Sequence, residues 1–108
     1  MAYNLELAKR VAAELKGLSF VEKNMFGGTG FLLHGNMACG SHKGRLIVRV
    51  GPEAYEEALD RPHVRLFDIT GRPMKGWVMV LPEGYESEQD LRAWVQQGVT
   101  FAQMLPPK

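Results

Sequence analysis

The sequence contains a single cysteine, Cys39. No disulfide can close within the chain, so the fold does not rest on a cross-linked framework. Excess charge is also missing: 13 basic residues stand against 12 acidic ones, a formal net charge of +1. Strong sequence-independent attraction to DNA needs a pronounced basic excess, so nucleic acid is the least expected partner. Long apolar runs are absent as well. Nothing approaches the roughly 20 residues that span a bilayer, and "MAYNLELAKR" lacks the apolar segment of a secretory signal. A cytoplasmic protein without membrane contact is the simplest expectation. There is no internal repeat, no low-complexity tract and no linker.

The chain has 108 residues, 45% hydrophobic and 23% charged. That suits one domain over residues 1–108, large enough to bury roughly two-thirds of its unfolded surface without a staple. Residues 4–16 read as an amphipathic helix: Leu5, Ala8, Val11, Ala12 and Leu15 recur at helical spacing. Gly17 is a natural stop. From Phe20 to Val50 the period changes to two, with Gly35-Asn36 and Lys43-Gly44 as hairpin signals. Pro52 suits the start of a short helix to about Leu59. Residues 62–70 read as extended, with Val64, Leu66 and Phe67 as packing residues. "TGRPMKG" reads as a loop, and "WVMVL" as a strand buried on both sides. Ser87, with Asp90 three residues on, caps a final helix whose core positions are Leu91, Trp94 and Val95. Gly98 should interrupt it, and Pro106-Pro107 follow. The expected class is α+β: a two-layer domain with helices on one face of an antiparallel sheet.

The turn signals set a register. With Gly35-Asn36 as a two-residue turn, His34 faces Met37 and Leu32 faces Cys39. With Lys43-Gly44 as another, Ser41 faces Leu46 and Cys39 faces Val48. One face then carries Leu32, His34, Met37, Cys39, Leu46, Val48 and Val50, the expected core. The other carries Phe31, Leu33, Ala38, Gly40, Ile47, Arg45 and Arg49. An apolar centre beside two arginines usually meets something. A second copy is the simplest partner, and Phe31, Leu33, Ala38 and Ile47 would form the dimer face. A one-residue slip would exchange the faces.

The stretch "MFGGTGF" invites a phosphate-loop reading, but the residue types do not support it. A dinucleotide fingerprint matches at Gly28 and Gly30 and fails at Leu33, and no Gly-Lys-Ser/Thr is present. The stretch also leads into a strand, so no helix N-terminus waits for an anion. Gly27, Gly28 and Gly30 are expected to form a structural bend or bulge where a side chain would clash. His34, Cys39 and His42 do not converge on one face, so no metal is expected. Cys39 reads as a small core residue and not as a nucleophile. No Ser/His/Asp arrangement or paired carboxylates stand out. No catalytic residue and no cofactor are predicted. The loop 71–76 is basic and bounded by glycines. With Arg49 it could form an anion-binding spot from Arg49, Arg72, Lys75 and Trp77; the other reading is a loop with solvated cations.

"MFGGTGFLLHGNMACG", "RLIVRVGPE", "GRPMKGWVMV" and "WVQQGVTFAQMLPPK", in that order, resemble the TfoX/Sxy N-terminal-domain family from about residue 8 onward. The resemblance implies a small domain with helices on one side of an antiparallel sheet, similar to secretion-chaperone-like folds. It also implies a bend at Gly27, Gly28 and Gly30, and an entry to the last strand at Lys75-Gly76-Trp77. Some members are regulators of natural competence in which a second, helical domain follows. This sequence ends at Lys108, so the expectation is a stand-alone domain without that role. The family offers no established catalytic residues to carry over. The expected function is a non-catalytic regulatory or protein-interaction domain that pairs with itself or with another protein. The alternative is a small-anion or nucleotide binder, possibly an enzyme, built on Arg49, Arg72 and Lys75.

Overall fold

The computed structural model describes residues 2–25, 28–68 and 71–107. Helix α1 (Ala2–Glu14) leads into four consecutive strands: β1 (Val21–Met25), β2 (Gly28–Leu33), β3 (Asn36–His42) and β4 (Arg45–Arg49). A short helix α2 (Tyr55–Leu59) separates them from β5 (Val64–Leu66) and β6 (Trp77–Val80). A single 3-10 turn (Pro82–Gly84) then precedes α3 (Glu88–Gln103). The strands form one antiparallel sheet in the order β1-β2-β3-β4-β6-β5. The chain is thus an α+β domain, as its periodicities imply.

Each helix is shaped by the stripe it buries. In α1, Leu7 and Val11, together with Leu15 just beyond its end, recur every fourth residue and are sealed from solvent with Ala8. In α3, Leu91, Trp94, Val95, Gly98, Val99 and Ala102 form the inward face. The Ser87 hydroxyl accepts the Asp90 amide at 3.0 Å and caps the helix, as its sequence signature predicts. All three helices contribute to one cluster with Phe31, Leu33, Cys39, Leu46, Val48, Val78 and Val80 from the sheet. Burying an aliphatic side chain of this kind contributes about 1.5–3 kcal/mol, so this layer carries the stability. Polar ties hold its edges. The Tyr85 hydroxyl donates to the Gly44 carbonyl, and Arg10 donates to the Tyr85 carbonyl at 3.1 Å. These bonds lock the entry of α3 to the β3–β4 turn and to α1.

The first hairpin departs from the expected register. Its turn is His34-Gly35, with φ of 51° and 85°, and Lys43-Gly44 repeats the pattern at 51° and 80°. Both put glycine second of two positive-φ residues, the arrangement that matches strand twist. Asn36 therefore belongs to β3. It pairs with Leu33, is buried, and donates its amide to the Pro106 carbonyl at 2.9 Å. The ladder then slips between Phe31 and Leu32: Leu32 pairs with Met37 but Phe31 pairs with Cys39. Ala38 is the extra residue of a bulge.

The faces are corrected accordingly. Phe31, Leu33 and Ala38 were expected on the open face and instead lie in the helix-covered core, at 0%, 3% and 0% exposure. Of the four residues expected to form a dimer face, only Ile47 points away from the helices, with Met37 and Met79. Leu32 shares Met37's face through pairing, and His34 is an exposed turn residue. The expectations for Cys39, Leu46, Val48 and Val50 hold. Leu66 was expected to pack and is 41% exposed, whereas Val64 and Phe67 are buried. Gly98 does not interrupt α3. The helix runs through it, and the position is glycine because a β-carbon there would overlap the Ala38 carbonyl oxygen. The glycine lets helix and bulge touch.

Candidate binding face

The sheet side opposite the helices is built from alternate residues of the strands. Arg45, Ile47 and Arg49 on β4 stand beside Met79 and Trp77 on β6, and Arg65 on β5 stands opposite Met79. Phe67 and the segment around Met74 fold back over this side. Phe67 and Met74 close on Ile47, Met79, Met37 and Trp77 to make a small second core. The Phe67 and Trp77 rings lie 6.0 Å apart, and the Met74 amide donates to the Phe67 carbonyl at 3.1 Å. The apolar centre of the open face is therefore covered by the chain itself. Around it stand exposed cations, together with Asp68 and, at the β1 edge, the exposed Val21.

Of the residues expected to bind an anion, the structure brings Arg49 and Trp77 together. They are register partners, and the guanidinium lies 5.0 Å from the Trp77 ring centroid and 5.5 Å from that of Phe101. Such stacking holds Arg49 in place. Arg72 and Lys75 are exposed on the covering loop. Gly76 anchors the end of that loop, its carbonyl accepting the amides of Val50 and Gly51 at 2.8 and 3.0 Å. Arg65 was missed from the sequence because its place depends on a β5–β6 pairing that spans the whole loop. Arg45 was placed on this face but not singled out. The two line a depression of about 550 Å³ with Met79, Leu81 and Asp68.

Two glycines of "MFGGTGF", Gly28 and Gly30, do not line this face as a loop. Both lie within β2: Gly28 pairs with Met25 of β1, and Gly30 with Lys23 of β1 and Gly40 of β3. A β-carbon on Gly28 would overlap the Ser41 carbonyl oxygen, so close backbone approach explains that glycine. Gly27 lies outside the described residues. Cys39 is fully buried, and burial pushes its thiol from 9.0 up to about 12, the opposite of what a nucleophile needs. Among the described residues no group of three or more His, Cys, Asp or Glu could hold a metal, and no helix is long and apolar enough to cross a membrane.

Charge is segregated between the layers. The helices and the segments leading into them carry Glu6, Glu14, Glu53, Glu56, Glu57, Asp60, Glu83, Glu86, Glu88 and Asp90 against Lys9, Arg10, Lys16, Arg61 and Arg92. The open side of the sheet and its loop carry Lys23, Arg45, Arg49, Arg65, Arg72 and Lys75. Asp68 is the carboxylate on that side, since Glu22 pairs with Phe31 and alternates to the helix side. A net charge of +1 therefore conceals two oppositely charged faces.

A second concavity, about 590 Å³, opens on the far side between the β4–α2 connection and α3. It is lined mainly by apolar atoms, including those of Pro52, Ala54, Ala93, Phe101 and Met104. It contains one carboxylate, Glu53, and no histidine or cysteine.

No curated protein is similar enough to this chain to count as a match. The family model described as TfoX N-terminal domain matches residues 14–102, taking in every strand and nearly all of α3. This agrees with the order of motifs in the sequence and covers most of its 108 residues, and so the chain belongs to the TfoX N-terminal domain family.

Proposed function

We propose that this chain is a non-catalytic interaction domain that engages an anionic partner through the open face of its sheet. The observation that carries this reading is the segregation of charge: Lys23, Arg45, Arg49, Arg65, Arg72 and Lys75 share one side with a single carboxylate, Asp68. Such a face concentrates positive potential and steers an oppositely charged partner toward it. The site also lacks the ingredients of chemistry. Among the described residues its titratable groups are arginines, lysines, Asp68 and His42, the register partner of Arg45, and no Ser, Thr or Cys nucleophile stands beside that histidine on this face. Stacking two such faces across a two-fold axis would set like charges against each other. A partner of opposite charge fits better than a second sheet.

Fluorescence anisotropy with labelled poly-L-glutamate at low ionic strength tests the reading. Arg45→Glu/Arg65→Glu should weaken binding about tenfold or more, while Lys9→Glu/Lys16→Glu, the same charge change in the helix layer, should leave it within about twofold. Equal losses in both pairs would mean that only net charge matters and would refute the assignment of the face.

A further inference from the structure

The depression between Arg45 and Arg65 narrows the kind of partner, an inference that rests on the reading of the open face just given. Arg65 is opposite Met79, which is opposite Ile47, so Arg65 lies two strands from β4. Arg45 precedes Ile47 by two residues on that strand. Strand geometry puts the two arginine α-carbons roughly 12 Å apart, with about 10 Å across the strands and about 7 Å along them. Between them the wall is apolar, from Leu66, Leu81 and the little of Met79 that reaches the surface. Two forked cations thus flank a greasy floor.

The geometry points to an extended polypeptide segment of the pattern acidic–x–apolar–x–acidic as the occupant. In an extended chain, residues i, i+2 and i+4 share a face, and i and i+4 are about 13 Å apart. The two carboxylates would meet the guanidinium groups of Arg45 and Arg65, which favour carboxylates through paired N–H donors. The apolar residue between them would cover Leu81 and the exposed Leu66 at the edge of the buried Met79. Nucleic acid fits less well. A phosphodiester chain is charged at every residue and would set a charge over the apolar floor, where it finds no hydrogen bond, whereas the proposed segment sets an uncharged side chain there.

The probe is a fluorescein-labelled peptide Ser-Gly-Glu-Ser-Leu-Ser-Glu-Gly-Ser, compared with the same peptide carrying Ser for Leu, with poly-L-glutamate and with oligothymidylate. The Leu peptide should bind about tenfold tighter than its Ser counterpart. Arg45→Ala/Arg65→Ala should erase that preference, and each single variant should erase part of it. Circular dichroism of each variant checks that the fold is kept. Equal affinity for the two peptides, with poly-L-glutamate still bound, would overturn this inference and leave the anionic-face reading standing. Tighter, arginine-dependent binding of oligothymidylate would overturn it in favour of nucleic acid. Arginine-dependent self-association in sedimentation would make the occupant a second copy and overturn it too. Failure of every probe, poly-L-glutamate included, would remove both readings.

Discussion

Gly98 of α3 rests against the Ala38 carbonyl of β3, so close that a β-carbon on the glycine would overlap the carbonyl oxygen and stand 3.1 Å from its carbon. The contact joins a helix glycine to a strand bulge, and each explains the other. Gly98→Ala should therefore destabilise the domain by about 1–3 kcal/mol, the usual cost of overpacking. That loss would appear although alanine is the better helix former by about 1 kcal/mol. Urea denaturation measures it; a gain in stability would show that helix and bulge do not touch.

The corrected register makes a second prediction. Phe31 is fully buried beneath the helices and stands 6.0 Å from the Phe20 ring. Phe31→Ala should cost about 3–5 kcal/mol. Leu32→Ala, on the other face and half-buried, should cost clearly less. The opposite ranking, read from paired denaturation curves, would restore the register that the Gly35-Asn36 turn suggested.

How much of this was legible beforehand divides along the range of the contacts. Local signals were reliable: the helix read over residues 4–16, which runs Ala2–Glu14, the Lys43-Gly44 turn, the Ser87 cap and the doubly buried "WVMV" strand. The first turn was misplaced by one residue, because Gly35-Asn36 reads as a turn unless the buried amide bond from Asn36 to Pro106 is known. The Ala38 bulge then changed which residues face the helices, and no local residue type announces a bulge at an alanine. The binding face was half visible. Arg45 and Arg49 alternate with Ile47 within one strand. Arg65 joins them only through a pairing across the loop 67–76, and the net charge hides the separation.

Cys39 gives a prediction in pH. Its thiol is raised from 9.0 to about 12 by burial. The unfolded chain therefore loses this proton near pH 9 while the folded chain holds it, so the folded state loses stability as pH rises through the window from about 9 to 12. The slope from this group approaches about 1.4 kcal/mol per pH unit. Cys39→Ala should flatten the stability profile in that window relative to the parent. An unchanged slope would mean that the thiol is not held neutral. The same burial predicts that thiol reagents label Cys39 only as fast as the domain opens.

Binding at the open face should respond to salt. Screening shrinks the Debye length from about 10 Å at 0.1 M to about 3 Å at 1 M. Affinity for poly-L-glutamate should fall steeply over that range in calorimetry. Salt-insensitive affinity would point instead to the apolar concavity beside Phe101 and Met104.

The proposed docking surface is the sheet's open side and not the helix layer. Amide chemical-shift mapping during titration with poly-L-glutamate tests it most directly. Perturbations should be confined to β4, β5 and the loop 71–76, with Arg45, Arg65 and Lys75 among the largest. Perturbations concentrated on α1 and α3, or spread evenly over both layers, would contradict it.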